Sequence, residues 1–320
     1  MRYVERLSSQ LYIIDDYDFQ RAQRTGTYVL LGDDITLIET CASPSLPYIL
    51  NGLRELNISL TAIKNIIVTH VHLDHAGAAG LLMRECPNAR LFVHSRGASH
   101  MIDPTQLVRG TRAVYGESFD IFFNPILPIP KERICIVEDS DTLQISANRT
   151  LAFYDTPGHA KHHISIHDSL TNGIFTGDTI GIYYRELIEL GVELYLPSTS
   201  PTQFNPEAML ASKERIKNLK VDYIYFGHYG ASANVSEVYT QLENWLSLFI
   251  EKGEAILAVE KNSVTASKKL ASLLFEAVQS YLIKKGIPKT HEFYKNVLRL
   301  EMLINAKGLI NYLTRLKMNN

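Results

Sequence analysis

Cysteine is scarce in this chain of 320 residues: Cys41, Cys86 and Cys135 are odd in number and widely separated. That excludes a disulfide framework and a CxxC zinc site, and leaves buried free thiols. No unbroken apolar run is long enough to cross a bilayer. Charge of one sign is also lacking, with 32 Lys and Arg against 34 Asp and Glu. Bulk nucleic-acid binding shows a basic face or stripe, so neither nucleic acid nor membrane is an expected partner. The opening residues Met1-Arg2-Tyr3-Val4-Glu5-Arg6 hold no apolar stretch resembling a signal peptide. A cytoplasmic location is expected, together with a small-molecule substrate and room for a homodimer.

What is present is a concentration of metal-ligand side chains. His70-Val71-His72-Leu73-Asp74-His75 packs three histidines and an aspartate into one short run, for which core packing offers no account. His159, Asp178 and His228 each follow a Gly-containing turn further along. A divalent ion takes imidazole nitrogen and carboxylate oxygen in a four- or five-coordinate shell, and a catalytic site keeps one position for water. Seven ligands exceed one ion's needs, so the set suits two. His94, His100, His167 and His291 have no such setting and read as surface or hydrogen-bonded core residues.

The local pattern explains how distant ligands could meet. Ile66-Ile67-Val68-Thr69 reads as a short buried strand that ends at His70, where His70 and His72 point the same way and Asp74 and His75 can turn toward a neighbouring ion. The small residues Ala76-Gly77-Ala78-Ala79-Gly80 let a helix start tightly behind the run. Leu151 to Thr156 leads into Pro157-Gly158-His159, Gly173 to Thr176 into Gly177-Asp178, and Val221 to Phe226 into Gly227-His228. Glycine allows the close backbone approaches such strand-end loops need.

In this order, His70-x-His72-x-Asp74-His75, Thr156-Pro157-Gly158-His159, Thr176-Gly177-Asp178 and Gly227-His228 resemble the metallo-β-lactamase superfamily of metal-dependent hydrolases, nearest its glyoxalase II-like branch. The resemblance covers roughly residues 10 to 230. It implies an α/β fold, a four-layer αββα sandwich, with the site at one edge of the two sheets. It also implies that His70, His72 and His159 hold one metal, that Asp74, His75 and His228 hold the second, and that Asp178 bridges them. His163 matches a histidine seen after the third motif in the glyoxalase II branch, whereas His162 stands where that branch has glycine. Both are read as donors that orient a ligand or close the pocket, or as structural hydrogen-bonding residues.

Two cations sharing a water bring its pKa toward roughly 7, which yields a hydroxide nucleophile at neutral pH. The expected reaction is attack on an acyl carbon of a thioester, ester or lactone, with Asp74 holding the water and passing its proton to the leaving group. The expected cofactors are two divalent ions, zinc first, with iron or manganese as alternatives. A glutathione-binding pattern is absent from the terminal helices, and an exported lactamase would carry an export signal. One rival reading is a phosphodiesterase. Another is a di-iron redox or oxygen-binding protein on the same scaffold, whose relatives usually have a carboxylate where this chain has His72.

Tyr28 to Leu31 and Ile35 to Glu39 around a Gly32-Asp33-Asp34 turn read as a β-hairpin, and Leu46 to Leu56 as a helix. Residues 94–135, which hold Pro104, Gly110, Gly116, Pro125, Pro128 and Pro130, read as a long insertion walling the cleft. Asn205-Pro206-Glu207 reads as a helix start, with a cap, a proline at the first position and an early carboxylate. Val238, Leu242, Trp245, Leu246, Phe249 and Ile250, and later Leu270 to Leu282, recur at helical spacing. The expected organisation is a catalytic domain over residues 1–230 and a C-terminal helical accessory domain over residues 231–320. Twelve Lys or Arg against six Asp or Glu in residues 251–320 read as a solvated helix face, with an anionic substrate arm such as a coenzyme A moiety as the alternative.

Overall fold

Two β-sheets face each other, and the alternation of their side chains decides which face each residue joins. In the computed structural model, which describes residues 3–199 and 202–319, the first sheet runs β1 (Val4–Arg6), β2 (Leu11–Asp15), β3 (Gly26–Leu30), β4 (Ile35–Ile38), β5 (Ile63–Ile67), β6 (Arg90–His94) and β7 (Ile134–Val137) in spatial order. Pairing is antiparallel from β1 to β4 and parallel from β4 to β7. The second sheet contains β8 (Thr142–Ser146), β9 (Arg149–Asp155), β10 (Ile164–Asp168), β11 (Gly173–Phe175), β14 (Tyr223–Tyr225) and β15 (Ala231–Ser232), with β11 and β14 paired in parallel. Between β11 and β14 the chain forms a small ribbon of β12 (Ile182–Tyr183) and β13 (Tyr195–Leu196).

Successive strand residues point to opposite faces. Leu11, Ile13, Tyr28, Leu30 and Ile67 therefore enter a core shared with Leu151, Phe153, Ile164, Ile166, Phe175 and Tyr225 of the second sheet. Their neighbours Ile14, Val29, Leu37 and Ile66 turn the other way, onto Ile49 and Leu53 of α1 (Leu46–Glu55) and onto the helices that follow the ligand run. Both faces of the central strands are thus covered, which is why the end of β5 and the residue after it, Ile66-Ile67-Val68, read as an unbroken apolar run. The buried Arg149 guanidinium makes a fork to Asp168, at 2.9 and 2.7 Å, and donates to the carbonyls of Gln10 and Leu31. A charge buried this deeply is tolerated because it is paired and hydrogen-bonded.

The hairpin of β3 and β4 and the helix α1 form where expected. The strand before the ligand run is β5, which ends at Ile67, so Val68 and Thr69 already belong to the loop. The second half of the run lies in α2 (Leu73–Ala76), and α3 (Ala79–Glu85) follows. Residues 94–135, expected as a long insertion, hold α4 (Ser95–Ile102), α5 (Thr105–Tyr115) and α6 (Phe119–Phe122). Their aromatic residues bury Leu73, Cys41 and Ala42 under Phe119 and Phe123, with Phe19, Tyr115 and Phe122 around them. The helices were illegible because Pro104 and Gly116 stand at the ends of α5, Gly97 and Gly110 lie inside α4 and α5, and together they break the apolar period.

By its internal contacts the chain divides into two compact units. Residues 1–156, 162–178 and 215–235 form the first, and residues 157–161, 179–214 and 236–320 the second. The second unit takes in α7 (Pro206–Asn218) over most of its length, and holds α8 (Val235–Val259), α9 (Ser263–Lys284) and α10 (Arg299–Asn319). As the sequence suggests, Asn205 caps α7 by accepting from Ala208 N at 2.7 Å. Gly253 lets α8 approach α10, since a β-carbon there would stand 2.7 Å from a Leu313 methyl. No helix among the described residues is long and apolar enough to cross a membrane.

Candidate metal centre

Parallel pairing lines up the ligand loops. Phe175 of β11 is paired with Tyr225 of β14, so Asp178 and His228, each three positions on, leave the sheet at the same level. Ile38 of β4 is paired with Ile67 of β5, which sets Glu39 beside Val68 and carries His70 just beyond it. The loops that follow parallel strands thus converge on one edge, as ligand-bearing loops do in open α/β sheets.

Three groups of side chains each offer ligand atoms that all lie within 4.8 Å of one another: Asp74, His75 and His228; His70, His75 and Asp178; and His70, His72 and His159. Each of the seven ligand candidates named from sequence falls in at least one group. His70 Nε2 is 3.0 Å from His72 Nδ1, so the two rings do point the same way. His72 is extended and α2 begins directly after it, which turns Asp74 and His75 in the first helical turn. His75 Nε2 stands 3.3 Å from Asp178 Oδ1 and 3.9 Å from Asp74 Oδ2. His228 Nε2 stands 3.4 Å from Asp178 Oδ1 and 3.8 Å from Asp74 Oδ2.

The donor set fits a cation. His75 is buried, and neither of its ring nitrogens has a hydrogen-bond partner among the described residues. Such orphaned polar atoms are rare and costly unless something else meets them. Burial pushes the His75 imidazole toward the neutral form, but Asp178, Glu39 and Asp74 together push its pKa well above the ordinary histidine value. Negative charge concentrated around the ring is what a proton offsets here and what a divalent ion would compensate in its place, and nitrogen with carboxylate oxygen suits zinc.

Glu39, at the end of β4 with a φ of +69°, is a site residue that the sequence reading passed over. Its Oε1 lies 3.5 Å from His75 Nδ1 and accepts a short hydrogen bond from Thr69 Oγ1. The available signal was an acid ending an apolar strand one register step from the ligand run. Gly177 and Gly227 show why glycine precedes two of the ligands. A β-carbon on Gly177 would meet Thr69 Oγ1 at 2.4 Å and His163 Nε2 at 2.6 Å, and one on Gly227 would meet His75 Cε1 at 2.6 Å.

His162 and His163, expected as donors, each accept at one ring nitrogen, which for His163 leaves the other nitrogen to carry the proton and donate. His162 Nδ1 receives Val71 N–H at 3.4 Å, and His163 Nε2 receives Asp178 N–H at 3.3 Å while its Nδ1 faces Thr156 Oγ1 at 3.1 Å. Both thereby tie ligand loops through the backbone. His159 Nδ1 is 3.0 Å from the Ser198 carbonyl. Of the histidines set aside, His94 accepts from Arg96 N at the start of α4, His167 Nε2 is 3.1 Å from Asn172 Oδ1, and His291 accepts from Phe293 N.

Beside the ligands, residues 15–24 form an acidic loop. Asp18 is buried in a short ion pair with Arg24. Burial raises the Asp18 pKa, Arg24 pulls it back, Asp74 adds to the rise and His228 opposes it, so this loop feels the ligand charges.

The model for the metallo-β-lactamase superfamily matches residues 23–228. Among curated proteins, the metallo-β-lactamase fold-containing protein ST1585 of Sulfurisphaera tokodaii is 23% identical over 206 residues, covering 63% of this chain and 72% of that protein. A hydroxyacylglutathione hydrolase of Thermosynechococcus vestitus is 27% identical over 160 residues, 49% of this chain and only half of its own length. Among solved structures, the archaeal ST1585 superposes with a TM-score of 0.65 at 19% identity, over 94% of this chain and 98% of that one. The metallo-β-lactamase family protein TTHA1429 of Thermus thermophilus does so with 0.66 at 18% identity, over 98% and 95%.

Proposed function

From the premise that this chain belongs to the metallo-β-lactamase superfamily, whose α/β fold it has, we propose that it is a two-metal hydrolase acting on an acyl carbon of a small-molecule thioester, ester or lactone. The observation that carries the proposal is the buried His75 ring, whose nitrogens have no hydrogen-bond partner among the described residues and which is flanked by Asp178 and Asp74 at 3.3 and 3.9 Å. In this reading His70, His72 and His159 hold one ion, Asp74, His75 and His228 the other, and Asp178 lies between the two groups.

When bound, the ions supply a water of lowered pKa and a positive charge for the oxygen that becomes anionic in the transition state. The chain's own groups do the rest. Asp74 is the acid of the set with access to solvent, its side chain 21% exposed against 5% for Asp178. It orients the attacking water by a hydrogen bond, takes up its proton and returns it to the departing oxygen or sulfur. Asp178, held through its backbone N–H by His163, keeps the two ligand groups at a fixed separation. Glu39 holds the His75 ring from the far side.

The acyl preference is supported by the partial match to a hydroxyacylglutathione hydrolase. Histidine at position 72, in place of a carboxylate, supports hydrolysis over di-iron redox chemistry. The test is elemental analysis of protein purified without added metal, followed by a panel of thioesters, lactones, esters and phosphodiesters. About two equivalents of zinc with turnover of an acyl substrate is expected. Iron with a visible absorption band and no turnover would overturn the reading.

A further inference from the structure

We propose that Asn305, on the C-terminal helix α10, is a positioning residue for His159; the inference rests on reading His159 as a metal ligand. His159 Nδ1 lies 3.0 Å from the Ser198 carbonyl oxygen. A carbonyl can only accept, so Nδ1 carries the proton and Nε2 keeps the lone pair a metal needs. Ring N–H donation of this kind sets the tautomer and orientation of ligating histidines.

The carbonyl is in turn held from α10. Thr199, directly after Ser198, donates its N–H to Asn305 Oδ1 at 2.8 Å, and its hydroxyl lies 2.7 Å from the Asn305 carbonyl and 2.9 Å from Oδ1. Thr199 and Asn305 are both buried, and Met302, Ala306 and Leu309 nearby on the helix are apolar. A buried amide in that company is costly unless its polar atoms are used, and here an oxygen is spent on the residue that follows the His159 acceptor.

The turn before His159 has separate supports. Gly158 O accepts from Asn205 N at 2.8 Å, and Pro157 O accepts from Ser212 Oγ at 2.6 Å. Removing the Asn305 side chain therefore leaves the turn in place and frees chiefly the Ser198 carbonyl and the ring it orients. The C-terminal helix thus acts on metal retention through one amide.

The experiment is zinc titration of the full chain against a chromophoric chelator. In Asn305→Ala, one of two equivalents is expected to weaken about tenfold to a hundredfold, with the other unchanged. His159→Ala should weaken the same equivalent, and combining the two should add nothing. If Asn305→Ala binds both equivalents as wild type does, or weakens both alike, the inference is overturned while the functional reading stands. If His159→Ala itself retains both equivalents, the ligand reading fails first. Should Asn305→Ala not fold, Asn305→Leu, of similar shape but without the Oδ1 that accepts from Thr199 N, decides: loss confined to the His159 equivalent supports the inference, and an unchanged titration overturns it.

Discussion

Glu39 Oε1 stands 3.5 Å from His75 Nδ1, on the opposite side of the imidazole from Asp178, whose Oδ1 is 3.3 Å from Nε2. A ring gripped by carboxylates at both nitrogens cannot rotate without losing one of them. Glu39→Gln is expected to leave the fold intact and weaken the ion held by His75 about tenfold to a hundredfold. Zinc competition beside a circular-dichroism melt checks it; an unaltered affinity removes Glu39 from the site.

Asp74→Asn should spare folding and lower turnover by about a hundredfold to ten-thousandfold, the range for a lost general acid–base group. The measurement is kcat at saturating metal. Normal kcat would take Asp74 out of the mechanism. Asp178→Ala should instead lose metal, read as equivalents bound after dialysis.

Tyr28 donates its hydroxyl to both the Phe226 and Gly230 carbonyls at 2.7 Å, spanning the turn that carries His228. Tyr28→Phe removes the donor and leaves buried acceptors behind. A loss of about 1–3 kcal/mol of stability is expected from the unmet hydrogen bonds, measured by urea unfolding.

Gly177 has a φ of +46°, and its missing side chain makes room for Thr69 and His163. Gly177→Ala is expected to cost about 1–3 kcal/mol through overpacking and backbone strain. Metal retention should fall with it, because Asp178 is the next residue. A variant as stable as wild type that retains its metal would show that the loop has slack.

Burial raises the Asp15 pKa to about 6, against the pull of hydrogen bonds from Tyr17 N and Gln23 N. The folded form therefore takes up this proton before the unfolded chain does. The stabilisation is complete below the ordinary pKa of 3.8 and is lost as pH rises through about 6. In chelator-treated protein, Asp15→Asn should be about 1 kcal/mol more stable than wild type at pH 7, with the gap closing toward pH 4. Melting temperatures of both proteins across that range test the sign.

The strands before His159, Asp178 and His228 were legible because their apolar runs lead into Gly-containing turns, and the α7 start because Asn205, Pro206 and Glu207 each suit a helix N-terminus. The helices α4 to α6 were not, since Pro104, Gly116 and Pro125 interrupt the period by which a helix is recognised. Glu39 was legible as a strand end but not as a partner of His75, because that meeting depends on β4 lying beside β5. His162 and His163 were recognisable as neighbours of a ligand, yet whether they donate or accept depended on which backbone N–H groups approached them.

By itself the sequence determined the chemistry on offer: imidazoles and carboxylates in one short run and three further turns, with glycine where backbones must approach closely. Residue type and spacing settle such matters locally, since ligand character and allowed backbone angles belong to single residues and their neighbours. Only the tertiary structure decided which of these groups share a site. Strand register, the parallel pairing of β4 with β5 and of β11 with β14, and a buried amide on a distant helix are contacts between segments far apart in the chain, and no local pattern encodes the distance between them.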